Sequence, residues 1–279
     1  MRVLSGLNLF IETYVRIFRG LKSLRLLAPF LILALLKGII LLTLVSFYLP
    51  PIHKILIPIL GYFYSDRVLH FPHYYLILPQ VFKYASSFIL ELVFGIVLSA
   101  SAVFIIGADY KHERGGFYEG LRTASKLFLA LLVVWLLKTA IVTVIFRYSG
   151  NVIFPFLYGM PFADFAGFLI IQMAGLIVSA FLIYAVPAII LQRRNLISAI
   201  ATSIKFTGRN FFFTFFLLFI PWLIYLPISY FIFSKVHVIL NKFNYSVLIY
   251  LMAFDILIAL ITGFFVLAGI TYFYLDKTE

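Results

Sequence analysis

Six stretches of this chain are apolar for twenty residues or more, and they govern what it can become. They fall at about 26–49, 84–108, 127–147, 165–191, 211–234 and 247–274. A helix rising 1.5 Å per residue crosses a hydrocarbon core of ~30 Å in about 20 residues, so each stretch predicts a transmembrane helix. The rest of the composition agrees. Of 279 residues, 64% are hydrophobic and 11% charged, whereas a soluble domain has about 45–50% and 25%. With no cysteine, a disulfide scaffold is excluded. The fold class is therefore all-α, a polytopic membrane protein read as one integral domain over residues 1–279.

The segment 50–83 is not expected to cross. It holds Pro50, Pro51, Pro58, Pro72 and Pro79 among charged and histidine residues, which leaves no clean apolar run. Residues 55–63 fit better at the interface or dipping partly inward. Orientation follows from Lys and Arg. With the N-terminus inside, 14 of the 22 lie in inner segments and six in outer ones, leaving Lys37 and Lys138 within spans. That bias predicts a multi-pass protein of the plasma or inner membrane with both termini cytoplasmic. The net charge of +12 reads as topology and attraction to anionic lipid, not as nucleic-acid binding.

Residues 3–24 carry Leu4, Leu7, Ile11, Tyr14, Phe18 and Leu21 at helical spacing, with Glu12, Arg16, Arg19 and Lys22 elsewhere. This predicts an amphipathic helix on the cytoplasmic leaflet, with Glu12 and Arg16 as a favourable i,i+4 pair. A cleaved signal peptide would instead have a short apolar core and a small-residue cleavage site, so removal is not expected. Residues 196–205 place Leu196, Ile197, Ile200 and Ile204 on one face, with Asn195 as N-cap.

Internal similarity points further. The second, fourth and sixth spans contain Gly95-IVLSA, Gly175-LIVSA and Gly263-FFVLA. The first and third share a lysine twelve residues after a basic residue, Arg25 to Lys37 and Lys126 to Lys138, and each follows a Gly-Leu-basic segment at Gly20 or Gly120. The implied unit is an amphipathic helix, a span out, a loop and a span back, three times over: about 1–110, 111–194 and 195–279. Gly95 with Ser99 and Gly175 with Ser179 would let helices approach closely, placing the even-numbered spans centrally. Pro221 and Pro227 should kink the fifth.

The basic amphipathic segment before each hairpin, as in LISAIATSIKFTGRNFFFTFFLLF, resembles the six-span membrane domain attached to some bacterial glycerophosphodiester phosphodiesterases and related uncharacterised six-span proteins. That resemblance implies a six-span membrane domain. The phosphodiesterase barrel of that family is not among these residues, so none of its catalytic residues carries over.

Four ionisable residues lie well inside spans: Lys37, Glu91, Lys138 and Asp255. At 1.5 Å per residue the two lysines sit about 16 Å from the inner edge, and the two acids roughly 10–12 Å from the outer one. An unpaired charge near mid-bilayer costs about 3 kcal/mol or more, so the four are expected to face inward and pair. They form either an ionic knot that fixes register or a polar pathway binding a proton, cation or polar substrate. These four are the candidate binding residues. Gly115-x4-Gly120 lacks the lysine of a phosphate loop, because Leu121 stands there. His112-Glu113 is not completed to a zinc motif, because Gly116 replaces the second histidine. His70, His73, His53 and Asp66 are read as interfacial contacts rather than a metal site, and no cofactor is expected. The sequence thus favours a non-enzymatic permease-like subunit or membrane scaffold, with anionic headgroups and other membrane or cytoplasmic subunits as partners. The alternatives are an ion-coupled transporter and a membrane enzyme acting on lipid.

Overall fold

The computed structural model describes residues 2–113, 115–159 and 162–278, without the side chains of 2–7, 154 and 164. The expectations that rest on the side chains of Leu4 and Leu7, or on the terminal residues Met1 and Glu279, fall outside what is described. Among those described there are only helices: α1 (Arg2–Gly20), α2 (Leu24–Val45), α3 (Pro50–Phe63), α4 (Asp66–Leu69), α5 (Tyr74–Tyr84), a π-helix (Ala85–Gly95), α6 (Ile96–Tyr110), α7 (Phe117–Lys126), α8 (Phe128–Leu157), α9 (Ala163–Leu182), α10 (Ala185–Gln192), α11 (Leu196–Arg209), α12 (Phe211–Ser234), α13 (Val236–Lys242) and α14 (Tyr245–Thr278).

Six of these runs are long and apolar enough to cross a membrane: Leu24–Val45, Tyr74–Tyr110, Phe128–Leu157, Phe165–Gln192, Phe211–Ser234 and Tyr245–Thr278. The chain is a multi-pass membrane protein. The second run starts ten residues earlier than hydropathy suggests. Pro79 costs one backbone bond there, but Tyr74, Tyr75, Leu78, Val81 and Phe82 are buried and hold the helix. The third run continues through Arg147 to Leu157, because hydropathy marks how long a helix is apolar and not where it ends. The fifth passes Pro221 and Pro227 without a break. The segment between the first two spans forms the 14-residue α3, too short to cross.

The chain divides into two compact units. The first comprises Met1–Pro29, Ile96–Pro221 and Phe265–Glu279, the second Phe30–Gly95 and Trp222–Phe264. In the second unit the core gathers Phe47, Tyr74, Leu78, Leu248 and Met252 with Ile239 and Leu60. The Phe47 and Tyr74 rings stack at 4.4 Å, and the Tyr74 hydroxyl donates to the Leu44 carbonyl at 3.0 Å.

In the first unit α8 and α9 pack as a hairpin along Gly175, where an added Cβ would meet Phe146 at 3.1 Å and Val142 at 3.9 Å. Closer approaches occur at glycines outside that pattern of small residues. A Cβ on Gly120 of α7 would meet Ser101 Oγ of α6 at 2.5 Å and its carbonyl oxygen at 3.1 Å, and one on Gly107 would strike Leu191 of α10 at 2.5 Å. The missing side chain of Gly95 instead leaves room for the stem of Glu91, which a Cβ there would meet at 3.1 Å.

Three short helices, α1, α7 and α11, pack on this unit in one way. Apart from Ile17 in α1, the residues they bury are small: Thr13 and Gly20 in α1, Gly120 and Ala124 in α7, and Ala199, Ser203 and Thr207 in α11. Several of their large apolar side chains stay outside, as Phe18 and Ile197 show at 57% and 81% exposure, while Ile17 of α1 is fully buried and Phe206 of α11 packs against Tyr184 and Tyr274. The Glu12–Arg16 pairing expected within α1 does not form the ion pair of this helix; Arg16 turns to Asp276 on α14 at 2.9 Å. Asn195 caps α11 as anticipated, accepting from the Ser198 amide at 2.9 Å.

Candidate functional site

Three of the four residues singled out from the sequence belong to the second unit: Lys37 on α2, Glu91 in the π-helix and Asp255 on α14. Lys37 Nζ lies 3.4 Å from Glu91 Oε1, with side-chain exposures of 15% and 36%. At that distance the contact is a long one for a charge-assisted hydrogen bond. Glu91 stands in an i→i+5 helix, a geometry that is rare and tends to mark functional positions. Asp255 is buried at 8% exposure.

Two residues of α12 complete the cluster. Tyr225 stands close enough to interact with the Asp255 carboxylate, and Ser229 stands beside Tyr225. Oδ1 of Asp255 has no hydrogen-bond partner among the described residues. Lys37 and Lys83 both lie near enough to attract this carboxylate. Lys83 itself is exposed, with its ammonium 4.7 Å from the centre of the Phe233 ring. The cluster thus carries two ammonium groups, two carboxylates and a pair of neighbouring hydroxyls. An ionised carboxylate excluded from water and only partly paired is costly, so this is where a positive charge would be received.

Lys138 is placed elsewhere. It lies on α8 in the first unit, and it is exposed. Among the described residues no carboxylate comes within ion-pair distance of it.

Sequence reasoning missed Tyr225 and Ser229. Their signal was available in the i,i+4 spacing of two hydroxyls, which sets both on one helix face, within a span otherwise read only for its prolines. It also missed a second polar group, in the first unit. Arg16 donates to Asp276 Oδ1 at 2.9 Å, the Tyr110 hydroxyl donates to the same oxygen at 2.9 Å, and Arg16 lies 5.4 Å from the centre of the Tyr110 ring. The Tyr272 hydroxyl donates to Asp109 Oδ2 at 3.2 Å. Burial works against the Arg16 charge, but the hydrogen bond and attraction of Asp276 outweigh it and hold the guanidinium above its usual pKa. Among the described residues no three His, Cys, Asp or Glu side chains gather as a metal site, and His70 and His73 are both exposed.

No protein-family model, curated protein or solved structure matches this chain.

Proposed function

We propose that this is a non-enzymatic, permease-like membrane protein that passes a small polar or charged solute by way of the Lys37, Glu91 and Asp255 cluster. One observation carries the reading: Asp255 is buried in a membrane span with a carboxylate oxygen that no hydrogen-bond partner among the described residues satisfies. A purely structural ion pair would be stable only with its lone pairs occupied. Here the better-formed contact, Lys37 to Glu91, leaves the more buried acid open.

The three short helices supply the rest of the reading. Each turns small residues to the protein and several large apolar ones outward, and each carries basic residues, such as Arg19, Arg122 and Arg209. Such a helix suits the boundary of an anionic leaflet, with its apolar side chains in the acyl region and its basic ones among headgroups. Their occurrence before the first, third and fifth spans supports a threefold repeat of short helix and hairpin. The same surfaces are available to partner subunits. The 2.9 Å contact between Arg16 and Asp276 joins the two terminal segments and supports placing both termini on one, cytoplasmic, side of the cell membrane.

Reconstituted liposomes test the function. Osmotic swelling in isosmotic glycerol, neutral sugars and zwitterionic amino acids should show at least one class entering faster than into empty liposomes. Asp255→Asn should slow that entry tenfold or more while leaving thermal unfolding nearly unchanged. Entry no faster than through lipid alone, or an Asp255→Asn variant that loses stability but not flux, would replace the permease reading with a structural knot.

A further inference from the structure

We infer that Asp255 is the seat of one small monovalent cation, a proton or an alkali-metal ion, and that the ammonium of Lys37 is its tethered competitor, parked on Glu91 in this structure. The inference rests on the permease reading and names what its site would take.

The argument begins with the unmet oxygen. Oδ1 of Asp255 is buried and unpartnered among the described residues, with the Tyr225 hydroxyl near the carboxylate and Ser229 near Tyr225. A bound cation would therefore meet a carboxylate oxygen first, with hydroxyl oxygens close behind. Such an all-oxygen set suits hard ions or a proton. Charge decides the valence. Lys37 and Lys83 both reach Asp255 electrostatically, and Glu91 is the other acid in range of Tyr225. With Lys37 paired to Glu91 and Lys83 exposed, the buried carboxylate of Asp255 presents one unpaired negative charge, which a monovalent ion cancels and a divalent ion would overshoot.

Lys37 is the group that can close the seat from within. Its contact with Glu91 is 3.4 Å long and one-third exposed on the acid's side, a weak hold for a flexible four-carbon stem. If the ammonium moves to Asp255, the orphan oxygen is satisfied and the cation is excluded. If it stays on Glu91, the seat is open. The π-helix presents Glu91 as the resting place, and the side-chain space that Gly95 vacates accommodates it. Proton uptake here forms one O–H bond at the carboxylate at the expense of a hydronium ion, and metal-ion uptake forms no covalent bond.

The experiment measures binding at equilibrium, in nanodiscs of zwitterionic lipid. The infrared carboxylic-acid band is followed against pH in N-methylglucamine buffer, and again with sodium or lithium chloride added. A band that titrates and is indifferent to the salts identifies the proton. A band displaced by either salt identifies the metal ion. Asp255→Asn should abolish the signal. Lys37→Met should tighten uptake tenfold or more and Glu91→Gln should weaken it tenfold or more. The deciding measurement is the double variant: with Lys37 gone, Glu91→Gln should change nothing, because Glu91 acts only by holding Lys37 away. Additive effects would mean that Glu91 acts on Asp255 directly, and would overturn the competitor. A wild-type band that survives Asp255→Asn, or no uptake at all, would overturn the seat. Glu91→Asp, which only lengthens the contact, should weaken uptake in the same sense and serves if Glu91→Gln does not fold. Solute flux in the same preparation separates the two claims. Flux without cation uptake leaves the permease and removes the seat; uptake without flux of any solute does the reverse.

Discussion

The Tyr14 hydroxyl is buried, has no hydrogen-bond partner among the described residues, and has its pKa pushed up by burial from near 10 to about 12. A phenol whose folded pKa is raised favours the protonated, folded state. Its contribution is complete below pH 10 and is lost as pH climbs towards 12. Tyr48 is raised to about 12 as well, by burial first and by Tyr75 second, so the alkaline loss is shared. Tyr14→Phe removes one share and an unsatisfied hydroxyl together. It should be as stable as the parent at pH 7, or more so by up to about 1 kcal/mol, and should lose less between pH 10 and 11. Thermal unfolding in one detergent at the three pH values checks this, and a variant as alkali-sensitive as the parent would refute the assignment. At this scale the sequence was informative about charge and silent about pairing. Lys37, Glu91 and Asp255 stood out because ionisable residues are rare in spans. That Arg16 would leave Glu12 for Asp276, 260 residues away, depends on how the chain folds back, which local spacing does not encode.

Among the elements, the junction of α9, α10 and α11 shows how a broken span is repaired. The helix stops at Leu182 and resumes at Ala185, with Pro187 near the restart removing an amide donor. Ser203 of α11 accepts from the Tyr184 amide at 3.1 Å and donates to the Phe181 carbonyl at 2.7 Å, while Thr207 donates to the Ala180 carbonyl at 2.8 Å. Freed backbone groups in a membrane span need such partners. Ser203→Ala should therefore cost about 2 kcal/mol through the stranded amide, read as a lower unfolding temperature in a fixed detergent. Ile197→Ala, on the exposed face of the same helix, should leave that temperature nearly unmoved. Equal losses from the two would contradict the packing direction. Hydropathy locates α11 and its Asn195 cap, but marks the isoleucine face as the informative one. Apolar periodicity identifies the face that avoids water; it does not say whether protein or lipid covers it.

For the whole molecule, six apolar runs were legible because bilayer thickness imposes a minimum length on each. Helix ends beyond the apolar zone were not, as the ten added residues at Tyr74 and at Leu157 show. The 37-residue Tyr74–Tyr110 run and the 34-residue Tyr245–Thr278 run both exceed what ~30 Å of hydrocarbon requires. Six crossings and the Arg16–Asp276 contact together predict that cysteines introduced at Ser5 and Thr278 react with an impermeant maleimide from the same side. In sealed inside-out vesicles both should label, and in right-side-out vesicles neither. Labelling of one alone would overturn the orientation.

The three short helices also reverse the usual map of mutational tolerance. In a water-soluble domain the greasy positions resist change and the small hydrophilic ones accept it. Along the outer faces of α1, α7 and α11 the opposite pattern follows, since exposed residues such as Phe18 and Ile197 can be exchanged for any lipid-soluble shape whereas one extra methyl at Gly120 has nowhere to go. A saturation screen of these helices would find forbidden substitutions at the buried glycine, alanine and serine positions, and freedom at exposed phenylalanine and isoleucine such as Phe18 and Ile197.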